Sequence, residues 1–445
     1  MGQVTARTPA SPSSPASSSL APLLSPEGQA LLAELRHHDP AGELALATRL
    51  RRDHPAELVS AALAQARLRQ RAVAKFGAAD AYRMYFTPNG VEQATRRSVA
   101  AYRAARLRTL VPPTGDDGGA PRVTDLCCGI GGDAIELARA GFAVTAVDLD
   151  PPTCEMARTN LATLAPDAPP AKVTRADVRT YDLTDAGTLF IDPARRGGRG
   201  RIFDPEAYSP PLSWAVEAVR GAGAGAIKIA PGIPHELIPE GFEAEWISDG
   251  GDVKEAVLWH LPRTTPTTPD TRRATPDTAP TTPDTRRATL LAPGRPPVTL
   301  MGRGLPDPPV RPVGRFLYEP DGAVIRAHLV AEVAEEIAGG LIDETIAYIT
   351  TDGAHPTPYA TAYEITDELP FNLKKLKALL RDREVGVLTV KKRGSAVEPE
   401  ELRRRLKLKG PNTATVFLTR AAGAPTMLLG HPTPVPGGEA VSRGR

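Results

Sequence analysis

Acidic residues and glycines lie close together in VTDLCCGIGGDA, residues 123–134. Asp125 stands near the end of an apolar run that is typical of a buried strand, and Gly129, Gly131 and Gly132 follow it. Glycines at this density allow the backbone to approach a ligand closely. The candidates for that ligand are a phosphate, a dinucleotide and a sulfonium cofactor.

The residue types distinguish between these ligands. No Lys followed by Ser or Thr succeeds the glycines, which excludes a phosphate-binding P-loop. Gly129-x-Gly131-x-x-Ala134 satisfies the dinucleotide pattern, and Asp148 follows at about twenty residues, as that pattern requires. However, a carboxylate at Asp125 would repel an anionic pyrophosphate. S-adenosylmethionine carries a cationic amine and a sulfonium instead, so the residues favour this cofactor, with a dinucleotide as the alternative.

Three further acidic residues stand at the ends of candidate strands. Asp148 in VTAVDL is predicted to accept hydrogen bonds from both ribose hydroxyls, and Asp177 in RADVR from the adenine amine. FIDP ends a fourth strand with Asp192 and Pro193, which we expect to face the transferable methyl group. The order of the four strand ends supports binding of S-adenosylmethionine.

The stretch 75–300 resembles a class I S-adenosylmethionine-dependent methyltransferase, because DLCCGIGGD is close to the cofactor motif of that superfamily. The resemblance implies additional cofactor contacts from Cys127, Gly132 and Asp133. MYFTPNGVEQAT resembles the cofactor-covering segment of trimethylguanosine synthase-type RNA guanine-N2 methyltransferases, which implies contacts from Thr87 and Pro88.

The resemblance extends over most of residues 30–432. KFGAADAYRMYFTPNGVEQAT, FIDPARRGGR and the tail GVLTVKKRG…PEELRRRLKLKG…ATVFLTR together resemble bacterial proteins that join this methyltransferase to a THUMP-like domain. This resemblance implies RNA as the substrate and a guanine N2 amine as the favoured acceptor. The alternatives are a small-molecule methyltransferase and a catalytically degenerate RNA-binding scaffold.

Amine-methylating enzymes of this kind carry Asp/Asn-Pro-Pro-aromatic where this chain has Asp192-Pro193-Ala194-Arg195. The retained pair implies that the Asp192 carboxylate and the Pro193 carbonyl hold the acceptor amine. The second proline and the aromatic residue are missing, and the Arg195 guanidinium is one possible replacement, stacked on a base. An aromatic ring is also available from four flanking positions, Tyr85, Phe86, Phe203 and Trp214.

Basic residues surround the predicted catalytic segment. Arg195 and Arg196 begin a glycine-rich run of arginines that is either a phosphate-binding loop or a solvated turn. Lys228, at the next strand end, is a candidate substrate contact. Asp-Pro-x-Arg also resembles RNA uracil-C5 methyltransferases, but those need a later cysteine nucleophile, and no cysteine follows Cys154. Residues 371–410 contain 13 Lys/Arg against 5 Asp/Glu, which is either an RNA-binding surface or a solvated face.

Alternation of short apolar runs with helical stretches from residue 122 predicts a parallel sheet. The fold class is therefore α/β, with a Rossmann-like seven-stranded class I methyltransferase core, an N-terminal helical domain and a small C-terminal α/β domain. The decapeptide PTTPDTRRAT occurs twice, and we expect its loop to be disordered, as the tip of a hairpin between AVLWHL and ATLLAP if these strands pair. The predicted boundaries are a disordered tail at 1–25, the helical domain at 26–75, the methyltransferase domain at 76–303 with the repeat loop at 264–287, a connecting segment at 304–355, the THUMP-like domain at 356–432 and a second tail at 433–445.

Composition excludes several other classes of protein. Charged residues are 24% and hydrophobic residues 41%, and no run is long and apolar enough for a membrane span. Three cysteines can build neither a disulfide framework nor a four-cysteine zinc site. We therefore expect a reduced, cytoplasmic protein with no membrane and no metal partner.

Overall fold

The computed structural model describes residues 20–111, 119–194, 196–197, 200–201, 204–260 and 285–433. The chain divides into two compact units, residues 1–104 with 113–186 and residues 105–112 with 187–445. Within the described part of the chain, no helix has the length and apolar character needed to cross a membrane.

The first unit contains helices and three parallel strands. The helices are α1 (Ala21–Leu24), α2 (Pro26–Glu34), α3 (Glu43–Leu50), α4 (Ala56–Ala81), α5 (Pro88–Gln93), α6 (Arg97–Leu110, which continues into the second unit), α7 (Gly132–Arg139) and α8 (Pro151–Leu164). The strands are β1 (Arg122–Leu126), β2 (Ala143–Asp148) and β3 (Lys172–Arg175), and β2 pairs in parallel with both neighbours. Parallel pairing brings the carboxyl ends of the three strands to one edge of the sheet.

The N-terminal helices differ from the predictions at the start of the chain. The tail predicted as disordered over 1–25 includes α1, which buries Leu23. Two helices, α5 and α6, follow Thr87, because the backbone leaves the helical conformation at Ala94. Lys75 provides hydrogen bonds for the carbonyl groups at the end of α5. Its Nζ donates to the Glu92 carbonyl at 2.6 Å and to the Ala94 carbonyl at 2.9 Å.

The second unit contains two larger sheets. Its strands are β4 (Thr188–Ile191), β5 (Arg196–Gly197), β6 (Gly200–Arg201), β7 (Gly225–Ile229), β8 (Glu243–Asp249), β9 (Asp252–His260), β10 (Arg286–Leu291), β11 (Val298–Met301), β12 (Phe316–Pro320), β13 (Gly340–Asp343), β14 (Ile346–Thr351), β15 (Ala360–Pro370), β16 (Val385–Lys392), β17 (Asn412–Ala421) and β18 (Ala424–Pro432). Its helices are α9 (Leu212–Ala222), α10 (Gly322–Arg326), α11 (Val330–Glu336), α12 (Leu373–Asp382) and α13 (Pro399–Leu406).

The hairpin predicted between AVLWHL and ATLLAP is wrong. AVLWH belongs to β9 and ATLL to β10, but β8 lies between them, antiparallel to β9 and parallel to β10. The sequence analysis did not predict β8, and β11 was likewise unforeseen. The repeat loop predicted over 264–287 is also too long, because β10 begins at Arg286, inside the second copy of the repeat. The rest of that prediction lies outside the described residues.

The second sheet of this unit has the strand order β13-β14-β12-β15-β18-β17-β16. Three of these strands, β12, β13 and β14, come from the segment predicted as a connection at 304–355. β12 pairs along β15, from Phe316 opposite Glu364 to Pro320 opposite Ala360. The connecting segment is therefore part of the C-terminal sheet. The stretch EVAEEIAGGLI in this segment contains the end of α11 and the start of strand β13.

Candidate cofactor and catalytic sites

The glycine turn between β1 and α7 has a backbone that most side chains disfavour. Cys127, Gly129 and Gly131 have φ values of 64°, 55° and 83°, all in the left-handed region. A Cβ at Gly131 would lie 3.3 Å from the Cα of Ala157, so glycine permits close packing against α8. At Gly129 the same position faces open space. The turn is therefore tight against the protein on one side and accessible on the other.

Asp148 links the end of β2 to this turn. One of its carboxylate oxygens accepts a hydrogen bond from the Gly129 N–H at 2.9 Å, and the other from the Asp150 N–H at 3.0 Å. Asp125 lies on the neighbouring strand β1 and is fully buried. Two carboxylates thus lie at one sheet edge around an open glycine turn, which fits a cofactor with a cationic methionyl group and ribose hydroxyls.

Asp177 follows β3, and its carboxylate already has a cationic neighbour. Arg179 donates to it from Nη2 at 2.7 Å and from Nε at 3.1 Å. These hydrogen bonds lower the pKa of Asp177 to about 2, so the group is ionised at neutral pH. The predicted contact of Asp177 with an adenine amine stays a prediction, and Arg179 would have to share the carboxylate.

Asp133 begins α7 and binds two other side chains of the first unit. Arg103 donates to one carboxylate oxygen, and Thr95 Oγ1 donates to the other at 3.0 Å. Both partners are buried, so these bonds fix α6 against the start of α7. The structure thereby gives Asp133 an anchoring role, and its predicted cofactor contact, like that of Gly132, stays a prediction.

The surroundings of the thiols in and near the turn do not favour a nucleophilic role. Burial raises the pKa of the Cys128 thiol well above its usual range, and Asp125 and Asp148 raise it further. Burial also raises the pKa of Cys154. Protonated thiols are weak nucleophiles, so packing is the role that the surroundings favour. Cys127 is half-buried, and its predicted cofactor contact stays a prediction.

The segment before α5 lies against the glycine turn. Thr87 caps α5 by accepting a hydrogen bond from the Gly90 N–H at 2.9 Å, and Pro88 is the first helical residue. Tyr85 and Phe86 are 3% and 1% exposed, so neither can stack on a substrate base as the sequence analysis allowed.

Buried polar residues that bind the backbone of the segment before α5 were not predicted from the sequence. They are Gln65, Arg69 and Asn160. Gln65 and Arg69 are four residues apart among the mostly apolar buried residues of α4, and this spacing was the signal that the sequence offered.

In the second unit, Asp192 and Lys228 form an ion pair. β4 and β7 run in parallel with Ile191 opposite Ile227, so the next residues of both strands lie side by side. Lys228 Nζ donates to Asp192 Oδ2 at 2.5 Å, and the side chain of Lys228 is 4% exposed against 22% for Asp192. Oδ1 of Asp192 has no hydrogen-bond partner among the residues that the structure describes. Lys228 was predicted as a substrate contact, but its side chain is buried and binds Asp192.

The arginine loop after Pro193 is closed at its base by a two-residue pairing. Ala194 and Ser209 exchange backbone hydrogen bonds at 2.9 and 3.1 Å. Between them, β5 and β6 pair as a short antiparallel ribbon. Arg195 and the side chain of Arg196 lie outside the described residues, as does Phe203. Trp214 is half-buried in the first turn of α9.

Comparison with known proteins places this geometry in a family. Residues 123–191 match a methyltransferase domain, residues 360–432 a THUMP domain-like family, and residues 17–72 a domain of unknown function, DUF8688. An uncharacterized S-adenosylmethionine-dependent methyltransferase of Mycobacterium tuberculosis, found in strains CDC 1551 and H37Rv, is 33% identical over 361 residues, covering 79% of this chain and 90% of the relative. The chain belongs to the S-adenosylmethionine-dependent methyltransferases. The predicted cofactor is thereby confirmed.

A solved structure confirms the fold class of this methyltransferase. A crystal structure from Porphyromonas gingivalis W83, provisionally assigned as a methyltransferase, matches with a TM-score of 0.67 and 18% identity. The match covers 89% of this chain and 100% of that one. Among the described residues of the methyltransferase, no cluster of His, Cys, Asp and Glu is arranged to hold a metal ion.

Replacing Asp148 by alanine should weaken cofactor binding by about 100-fold, because the bond to the Gly129 N–H is lost together with the two charge-assisted hydrogen bonds that we predict to the ribose. Calorimetric titration with S-adenosylmethionine measures this loss. The matched control is Asp150→Ala, which removes a nearby exposed carboxylate that caps α8 through Thr153. Affinity that is unchanged in Asp148→Ala would contradict the ribose assignment.

Proposed function

We propose that this methyltransferase methylates an exocyclic amine of a base in RNA, specifically the N2 amine of a guanine. The observation that carries the proposal is the Asp192–Lys228 pair. It fixes one carboxylate oxygen and leaves Oδ1 as an acceptor next to Pro193. An amine presents N–H donors, and a fixed acceptor can direct its lone pair toward an electrophile. The match of residues 360–432 to THUMP-like domains supports RNA as the carrier of that amine.

In the proposed reaction, Asp192 Oδ1 and the Pro193 carbonyl accept the two N–H groups of the amine. Bound S-adenosylmethionine supplies the electrophilic methyl group. The amine nitrogen forms a bond to the methyl carbon as the sulfur–methyl bond breaks, and S-adenosylhomocysteine is released. The proton that the nitrogen loses leaves through Asp192 Oδ1 to solvent. Lys228 keeps the carboxylate in this orientation throughout. Most of the rate acceleration then comes from proximity and orientation, since no covalent intermediate is required.

Ion pairs limit which basic residues of the C-terminal region are available to bind RNA phosphates. Lys391 pairs with the buried Glu319, and Lys392 Nζ lies 2.5 Å from Glu398. Arg403 and Arg405 pair with acidic residues of their own helix, α13. The predicted basic surface of residues 371–410 is therefore partly neutralised. Seven basic side chains of residues 371–410 make no ion pair among the described residues, and one of them, Lys377, already donates to the Arg405 carbonyl. The other six are the better phosphate contacts, Lys374, Lys375, Arg381, Arg404, Lys407 and Lys409.

Comparison of modified nucleosides in RNA from a deletion strain and its parent tests the proposed function. Mass spectrometry should show one methylated guanosine lost on deletion and restored by the wild-type chain. Complementation with Asp192→Asn should not restore it. A different missing methylated base would keep RNA as the substrate but contradict the guanine N2 assignment. An unchanged profile, together with no RNA binding at low salt, would overturn the proposal in favour of a small-molecule acceptor.

A further inference from the structure

The extended residues Met84, Tyr85 and Phe86 are held by side chains instead of by a neighbouring strand. Gln65 of α4 donates to the Phe86 carbonyl at 2.7 Å and accepts from the Phe86 N–H at 3.0 Å. Arg69, one turn further along α4, donates to the Met84 carbonyl at 2.8 Å. Buried backbone groups must find partners, and α4 provides three of the bonds that this segment requires.

Asn160 of α8 binds the remaining residue of the segment, Tyr85. Its Oδ1 accepts from the Tyr85 N–H at 2.7 Å, and its Nδ2 donates to the Tyr85 carbonyl at 3.0 Å. The same Nδ2 also donates to the carbonyl of Ile130, in the glycine turn, at 3.0 Å. One fully buried amide therefore couples the position of the segment to the backbone of the glycine turn.

A second contact joins the same two parts of the first unit. A Cβ at Gly90 in α5 would lie 2.6 Å from the Cγ2 atom of Ile130, which is closer than two carbon atoms can approach. The start of α5 thus packs directly on the glycine turn. Any displacement of the segment before α5 would move this helix and remove the support of the turn.

The helices before the segment also hold its aromatic side chain. Gln29 of α2 donates to the Tyr85 hydroxyl at 2.6 Å, and the Arg69 guanidinium lies 4.8 Å from the centre of the Tyr85 ring. Gln65 and Arg69 are 6% and 5% exposed, so water cannot easily replace their bonds. All three residues lie in the stretch that matches a domain of unknown function.

We infer that the N-terminal helical domain is a positioning element of the cofactor site. Gln65 and Arg69 are its positioning residues. They fix residues 84–90 against the glycine turn, and through Asn160 and Gly90 they fix the turn in the shape that binds S-adenosylmethionine. The inference depends on cofactor binding alone, so it is independent of whether the acceptor is RNA.

Calorimetric titration of the full chain with S-adenosylmethionine and with S-adenosylhomocysteine tests this inference. Gln65→Met keeps the length of the side chain but removes both bonds to Phe86, so the dissociation constants of both ligands should rise by about tenfold. The matched control is Gln70→Met on the same helix. Gln70 donates to the His38 carbonyl at 2.9 Å, inside the helical domain and away from the segment, so its loss should change affinity by less than about twofold.

Two Arg69 variants provide a second test, and they replace the first test if the Gln65→Met protein does not fold. Arg69→Lys keeps a donor for the Met84 carbonyl and should retain most of the affinity, whereas Arg69→Met should lose about tenfold. Thermal unfolding without cofactor separates stability from binding. Equal losses of affinity in Gln65→Met and Gln70→Met, or wild-type affinity in both Gln65→Met and Arg69→Met, would overturn the inference. Neither result would affect the assignment of the acceptor.

Discussion

Replacing Asp192 by asparagine should lower the rate of methyl transfer by about 100-fold or more and leave the affinity for S-adenosylmethionine within about twofold. Asparagine keeps the shape of the side chain and a carbonyl oxygen for Lys228. It removes the negative charge that, in the proposed reaction, strengthens the hydrogen bonds from the acceptor amine as positive charge develops on its nitrogen. The loss should therefore appear in turnover and not in cofactor binding.

Transfer of radiolabelled methyl groups from S-adenosylmethionine to RNA of the deletion strain measures the rate. Asp252→Asn is the matched control, because Asp252 also pairs with a lysine, Lys254 at 3.1 Å, but is 81% exposed. Its activity should equal that of the wild type. Lys228→Met should also slow transfer, since Asp192 Oδ2 would lose its partner. Full activity in Asp192→Asn would remove Asp192 from the mechanism.

The positions of Asp125, Asp148 and the glycine turn could be predicted from the sequence because the relevant signals are local. β1 and β2 run in parallel, and Asp125 and Asp148 stand near their carboxyl ends, as their positions near the ends of two apolar runs predict. The glycine turn follows similarly, since Gly129 and Gly131 take positive φ angles that few other residues tolerate. These predictions needed no knowledge of contacts between distant parts of the chain.

The support of the site could not be predicted, because it consists of long-range contacts. Asn160 lies 75 residues from Tyr85 in the chain, and a polar residue on α8 gives no indication of that partner. Lys228 was recognised as a polar residue at a strand end, but its pairing with Asp192 depends on the register of β4 and β7. Hydrophobic periodicity predicts which elements form and says little about which polar side chains meet.

The duplicated decapeptide shows that composition alone does not decide structure. Its second copy, residues 280–289, ends in β10, although a Pro- and Thr-rich repeat predicts disorder. Arg287 within that copy is fully buried, with Nε 3.4 Å from Glu245 and Nη1 3.7 Å from Glu243. The equivalent Arg273 of the first copy lies outside the described residues. An arginine in a low-complexity sequence is therefore part of a buried charge network.

Glu245 is at the centre of that network. Arg106 Nη1 donates to it at 2.6 Å, and Trp259 Nε1 donates to it at 2.9 Å. Thr289 Oγ1 donates to its other oxygen at 2.5 Å. Among the described residues, Arg106 and Arg287 bring positive charge to the network and Glu243 brings a second negative charge, and each of these charged side chains is 1% exposed or less.

Glu245→Gln should destabilise the second unit by about 3–5 kcal/mol, because two buried guanidinium groups would then share one carboxylate. The new amide group would also direct its N–H donors at neighbours that are themselves donors. The midpoint of urea unfolding, followed by tryptophan fluorescence, measures the loss of stability.

Glu217→Gln on the exposed face of α9 is the matched control and should change the free energy of unfolding by less than about 0.5 kcal/mol. Removing one cation as well, in Glu245→Gln with Arg287→Met, should recover part of the loss, since one anion then faces one cation. An unchanged midpoint in Glu245→Gln would mean that the network does not stabilise the fold.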